Sequence, residues 1–186
     1  MPGEPTVRPA LLNPHRRHHR NFGPACYAAQ TVTLPTCVVM RDDTVELVPV
    51  DDAMRAELRD ALGRSDLPGA DIDEAGRRFF AACVDKRTVG FVGLEIHGAD
   101  VLVRSLVVLE RERRKGFGST LLRSALRIAA AQGVERAWAL TMMAQSLLEN
   151  VGFQPAARTA APPSIQATQE FIALCPASAV CMTRAI

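Results

Sequence analysis

Arg113-Arg114-Lys115-Gly116-Phe117-Gly118-Ser119-Thr120 is the stretch on which the reading of this 186-residue chain turns. Before it runs Val101 to Leu109, an apolar segment interrupted at Arg104 that reads as a strand. After it, Leu121, Leu122, Ala125, Ile128 and Ala129 recur along one helical face up to Gly133. The octapeptide therefore opens a helix directly after a strand. The first turn of a helix leaves backbone N–H groups unpaired and carries partial positive charge, so it attracts an anion. Glycines at 116 and 118 remove side-chain bulk where phosphate oxygens would approach those N–H groups, and Arg113, Arg114 and Lys115 add longer-range attraction. A diphosphate is the natural guest.

Upstream, Thr44 to Val50 alternates as a strand does. Asp51 or Asp52 can cap a helix carrying Met54, Leu58, Ala61 and Leu62, which Gly63 stops. A short second helix is expected from Asp71 or Asp73 to about Arg78. Phe79 to Val84, Thr88 to Ile96 and Val101 to Leu109 read as three strands whose turns are too short for anything but an antiparallel meander. Downstream, Ala137 to Met142 is a strand separated from its predecessor by a helix, so the two should run parallel. A short helix over Ala144 to Asn150, another over Ser164 to Leu174 and a last strand over Ala179 to Ile186 complete the order. The fold class is α+β: a mixed, mostly antiparallel sheet flanked by helices, with a parallel strand pair after the central β-α crossover.

Spacing discriminates among phosphate-binding turns. A P-loop needs Gly-Lys followed by Ser or Thr, whereas here Lys115 precedes Gly116. A dinucleotide fingerprint needs a third glycine where this chain has Leu121, and a βαβ unit where it has hairpins. What remains resembles the GNAT acetyltransferase superfamily, whose R-x-x-G-x-G signature is matched by Arg113, Gly116 and Gly118. Its A-x-x-F-Y-x-x-x-G-F pattern is matched in part by Ala144 and Val151-Gly152-Phe153. The resemblance covers about residues 44 to 186. It implies acetyl-CoA as co-substrate, a small-molecule amine as acceptor, and a fourth strand that splays from the fifth.

A closer likeness is to the bacterial arsenic-resistance N-acetyltransferases. It is carried by Val89-Gly90-Phe91-Val92-Gly93-Leu94-Glu95, by Leu102-Val103-Arg104-Ser105-Leu106 and by the tail Phe171 to Met182. The resemblance puts the phosphates on Arg113, Arg114, Lys115, Gly116, Phe117, Gly118, Ser119 and Thr120, and the pantetheine arm and thioester on the backbone of Leu106, Val107 and Val108. Thr141 stands where many relatives have an asparagine touching the CoA arm. Leu148 stands where the superfamily commonly has a tyrosine that protonates the leaving thiolate.

Glu95 is the only carboxylate on its strand and is the candidate general base, although its alternation with Leu94 and Ile96 equally fits a surface glutamate. Arg104, with Ser105 beside it, is the substrate-binding candidate. Its guanidinium could clamp a substrate carboxylate, make an internal ion pair or face solvent. Cys175 and Cys181 read as small buried thiols, with thiol coordination the lesser alternative. Three functions compete: N-acetylation of an amino-acid-like compound, arsenic-containing ones included; acetylation of a metabolic amino acid; and an acyl-CoA sensor without turnover.

Composition bounds the rest. Apolar residues at 48% and charged ones at 23% describe an ordinary globular domain. Residues 1–40 are expected to form a flexible leader before the acetyltransferase domain of 41–186; Met40 is an alternative start, and metal ligation by His15, His18 and His19 is disfavoured. The leader holds Arg8, Arg16, Arg17 and Arg20 against Glu4, a surplus of three. The rest of the chain then carries about minus one of the total +2, which disfavours a nucleic-acid surface. No apolar run reaches the roughly 18 residues a bilayer span needs, no zinc-like cysteine spacing occurs, and no secretory signal opens the sequence. A cytoplasmic monomer or homodimer with neither metal nor membrane partner is expected.

Overall fold

The computed structural model describes residues 45–186. The leader expected over residues 1–40, with its histidines and Tyr27, lies outside the described residues. Among the described residues, β1 (Glu46–Pro49), β2 (Arg77–Val84), β3 (Arg87–His97), β4 (Asp100–Val108), β5 (Arg136–Thr141), β6 (Gln154–Ala156) and β7 (Val180–Ala185) form one sheet in the order β1-β2-β3-β4-β5-β7-β6. Helices α1 (Asp52–Gly63), α2 (Phe117–Ala130), α3 (Gln145–Asn150) and α4 (Pro163–Gln166) flank it. Every pairing is antiparallel except β4 with β5, so the fold is the expected α+β mixed sheet. No helix among the described residues is long and apolar enough to cross a membrane.

Local chemistry explains these elements. Asp51 caps α1 by accepting from the Met54 N–H at 2.9 Å. Asp51→Ala is expected to lower stability by about 1 kcal/mol, read as a denaturation midpoint shift at unchanged slope. Asp85 and Lys86 both take positive φ, +48° and +64°, which gives the two-residue β2–β3 turn the twist a hairpin needs. Along β2 the alternation sends Phe80 and Ala82 to one face, beneath Leu121, Leu122 and Ala125 of α2. Phe79 and Ala81 go to the other, beneath Leu58 and Leu62 of α1. On that second face a separate cluster joins Leu102, Trp138 and Cys181 to Ile165 of α4.

Three sequence expectations need correction. The helix expected to begin at Asp71 or Asp73 is a series of turns. Asp71 is buried in ion pairs, Gly76 takes φ +87°, and Arg77 already pairs with Glu95 in the sheet. The helix expected over Ser164 to Leu174 breaks after one turn, where the Thr168 hydroxyl donates to the Ile165 carbonyl at 2.8 Å. It resumes as a π-type turn over Glu170–Leu174 that draws Glu170 inward. Strand β6 is not expected from sequence, because it is three residues long and contains Pro155; it lies at the sheet's margin, where a proline is tolerated.

Two features prepare β4 for function. Phe91 pairs with Val107 and Gly93 with Arg104, so β4 carries one residue more than β3 across that interval. Ser105 absorbs the bulge at φ +52°. On its other side β4 pairs with β5 only at Asp100↔Arg136, Val101↔Ala137 and Leu102↔Trp138. Beyond Leu102 the strands part, and the stretch of β4 up to Val108 borders a fork.

Candidate functional site

At the open end of that fork β4 runs through a single 3-10 turn, Glu110–Glu112, into the glycine turn and α2. Gly116 caps α2 at φ +85° and supplies no side-chain acceptor, so the first N–H groups of the helix are left for a ligand. The two glycines serve different ends. At Gly116 a Cβ would meet open space, so the dihedral is what demands glycine. At Gly118 a Cβ would come into ordinary contact with the Leu147 side chain at 3.4 Å and Val108 at 3.7 Å, so glycine there keeps the helix start open toward the cavity. A cavity of about 250 Å³ opens here, lined by Arg113, Arg114, Gly116, Phe117, Gly118 and Ser119 with Val108, Glu112 and Leu147. Thr120, the last residue of the predicted set, closes the first helical turn with its N–H 3.4 Å from the Gly116 carbonyl.

The three cations are not equivalent. Lys115 donates to Glu112 at 2.9 Å, and that hydrogen bond holds the Glu112 carboxyl below its usual range. Arg113 turns back to the Val108 carbonyl and the Ser65 hydroxyl, both at 3.1 Å. Arg114, at φ +62°, has no hydrogen bond or ion pair among the described residues and is the cation most available to an anion.

A second cleft, about 490 Å³, lies between α1 and the end of β4. Glu57, Asp60, Arg64 and Ser65 face Val107, Leu109, Glu110 and Arg111 across it. It shares Val108 and Arg113 with the first cavity, so the two adjoin.

The predicted catalytic and substrate residues converge in one buried cluster. Arg104 donates to both oxygens of Asp71, at 2.6 and 2.7 Å, and to Glu95 Oε1 at 2.6 Å, and its Nη2 pairs with Glu170 Oε1 at 2.8 Å. Arg77 adds Asp71 at 2.9 Å and Glu95 at 3.3 Å. Burial alone would push the Asp71 carboxyl up, but the hydrogen bonds and charge of Arg104, with Arg77 behind it, hold it below the usual carboxylate range. Burial works against the Arg104 cation too, and Asp71, Glu170 and Glu95 more than restore it. The only ion-pair partner of Glu95 Oε2 among the described residues is His97, with Nε2 3.9 Å away. Ser105 Oγ lies 3.4 Å from Arg104 Nε.

Leu106 packs against the α2-side core and Val107 against the α1-side core, so what these residues offer the fork is backbone. Thr141 accepts from the Ala144 N–H at 2.7 Å and so organises the start of α3. Leu148 is buried in the apolar core. Cys175 donates to Glu170 at 2.8 Å, and burial together with that carboxylate pushes its thiol up to about 12; burial likewise raises Cys181. Neither thiol is poised as a thiolate at neutral pH. Sequence reasoning passed over Asp71, Arg77 and Glu170. The only signal was the unexplained arginine on β4, which demanded carboxylate partners without saying where they lie.

A sequence profile described as acetyltransferase (GNAT) family matches residues 42–153. No curated protein matches the chain. Among solved structures, N-acetylglutamate synthase from Neisseria gonorrhoeae, complexed with coenzyme A and L-arginine, superposes with a TM-score of 0.64 at 15% identity, over 77% of this chain and 33% of that one. The chain thus spans about a third of that enzyme's length. A Bacillus subtilis acetyltransferase in complex with CoA gives 0.57 at 22% identity, over 77% and 98% of the two chains. Mutant forms of the spermidine/spermine N-acetyltransferase SpeG from Vibrio cholerae give 0.59 at 15% identity, over 76% and 94%. At these identities the likeness is one of fold.

Proposed function

The chain belongs to the acetyltransferase (GNAT) family, and from that premise we propose that it transfers the acetyl group of acetyl-CoA to the amine of a small, amino-acid-like molecule. The observation that carries the reading is that β4 loses its β5 partner after Leu102 and leads into a helix start whose glycine cap supplies no side-chain acceptor. One strand thus offers free backbone for a pantetheine arm and a seat for the diphosphate at its end. In this reading the first turn of α2, with Arg114, holds the phosphates, and the β4 backbone at Leu106, Val107 and Val108 holds the arm and thioester. The neutral amine nitrogen attacks the thioester carbonyl and the oxygen gains negative charge; the nitrogen gives up a proton, the carbonyl re-forms, and the carbon–sulfur bond breaks with its electron pair leaving on sulfur as the CoA thiolate.

Glu95 is our candidate proton acceptor, acting through water, with Oε1 held by Arg104 and Arg77 and Oε2 3.9 Å from His97 Nε2. Glu95→Gln is expected to keep acetyl-CoA affinity within about twofold and to lower turnover about 100-fold. Unchanged turnover across pH would remove Glu95 from the chemistry. For Arg104 the geometry supports the internal ion pair over the clamp, since its donors already meet three carboxylates.

The cleft beside α1 carries both signs of charge, which supports a zwitterionic acceptor. The likeness of the Phe171–Met182 tail to arsenic-resistance acetyltransferases is the reason to include an arsenic-containing amino acid among the amines tested. The test is thiol release from acetyl-CoA across a panel of that compound, glutamate and other amino acids, and polyamines. Preference for the first would support a detoxifying role, and preference for glutamate a metabolic one. Acetyl-CoA binding without release for any amine would favour the sensor reading, to which the buried Leu148 in the tyrosine's place lends some weight.

A further inference from the structure

The ion cluster beneath the fork links parts of the fold that apolar packing leaves separate. The Arg104 side chain is 1% exposed, and its carboxylate partners come from three segments: Asp71 from the loop between α1 and β2, Glu95 from β3, and Glu170 from the π-type turn before β7. Ile72, next to Asp71, is buried in the α1 cluster. Phe171, next to Glu170, packs into the cluster of Trp138, Cys181 and α4. These two clusters line the same face of the sheet, one toward β2 and β3 and the other toward β5 and β7. Arg104 lies between them, two residues past the last β4–β5 pair and immediately before the left-handed Ser105.

Stability does not account for such a device. Removing several charged groups from water is costly, and apolar residues of similar volume commonly serve as well or better. What an ion cluster supplies and apolar packing does not is direction: each guanidinium N–H fixes where its carboxylate must stand.

We propose that Asp71 and Glu170 are positioning residues for acetyl transfer: gripping Arg104 from two separate segments of the chain, they set the width of the β4–β5 fork and the pitch of the Ser105 bulge, and so the aim of the free β4 backbone at the thioester. The inference rests on the acetyl-transfer reading and adds to it two residues that touch neither co-substrate nor acceptor. Cys175, donating to Glu170 Oε2 while Oε1 meets Arg104, holds that carboxylate in register.

The test compares wild type with Glu170→Gln and Asp71→Asn, which remove a charge and keep the shape, by calorimetry with CoA and by steady-state thiol release well below each variant's thermal midpoint. The expected result is a kcat at least tenfold lower with the CoA dissociation constant within twofold, because the diphosphate seat lies at the far end of β4. The loss should be equal for acceptors with and without a carboxylate. Glu170→Asp, which keeps the charge, should recover part of the rate, and it provides the reading if the neutral variants do not fold. Wild-type kcat in any folded variant overturns the proposal. So does a loss confined to carboxylate-bearing acceptors, which would make Arg104 a substrate ligand. A wild-type protein that releases no thiol with any amine would instead defeat the acetyl-transfer reading itself, and the proposal with it.

Discussion

A glutamate in place of Gly116 is expected to weaken acetyl-CoA binding by at least about 100-fold while leaving the fold intact. The added Cβ would meet nothing within 4 Å, so no packing is lost. Two penalties remain. At φ +85° a residue with a Cβ is strained by roughly 1–2 kcal/mol, part of which the helix start can relieve by local adjustment. The larger one is electrostatic: a carboxylate about 5 Å from the diphosphate, at an effective dielectric constant near 20, repels it by about 3 kcal/mol per charge pair, which is more than a hundredfold in affinity. Gly116→Asn, uncharged and tolerant of the left-handed region, should lose far less. Calorimetric titration with acetyl-CoA reads both variants, and wild-type affinity in the glutamate variant would remove the turn from the binding site.

Gly90→Ala is expected to cost about 3 kcal/mol, a drop in thermal midpoint of roughly 6–12 °C for a chain of this size. A Cβ at Gly90 would run into the Val107 carbonyl oxygen, with the Val108 Cα at 3.2 Å and the Val107 carbonyl carbon at 3.3 Å. All three are backbone atoms, so no rotamer change relieves the clash, and β3 must move away from β4. The displaced segment is the one assigned to the pantetheine arm, so the surviving folded protein should also show a higher KM for acetyl-CoA. Gly69, whose nearest approach is the Leu62 side chain at 3.6 Å, is the matched control, where alanine should cost little. Equal midpoints for the two alanine variants would show that the close approach of β3 to β4 is not needed.

The meander, the parallel pair and the glycine turn were legible in the sequence because each is a local pattern. Alternation and turn length fix neighbouring strands, and one intervening helix fixes the crossover. The place of the candidate anion site at a helix start was legible for the same reason, since Gly116, Gly118 and the helix they open are contiguous. The assignment of the cations was not: Arg113 and Lys115 are held by protein groups, and only tertiary contacts decide that. The ion cluster was hidden because Asp71 lies 33 residues from Arg104, in a stretch whose acidic and small residues imitate a helix start. Glu170 was hidden inside the stretch from Ser164 to Leu174 that reads as ordinary helix, and nothing local announces that the helix widens there and turns its carboxylate inward.

Both outermost strands are brief, and each contains a proline: Pro49 closes the four residues of β1, and Pro155 sits within the three residues of β6. A proline has no N–H to lend, so these margins give an incoming chain little to copy. Among the described residues these margins resist templated growth into fibrils even when crowded, and lasting association through this part of the chain falls to helices or loops and not to a lengthened pleated ribbon.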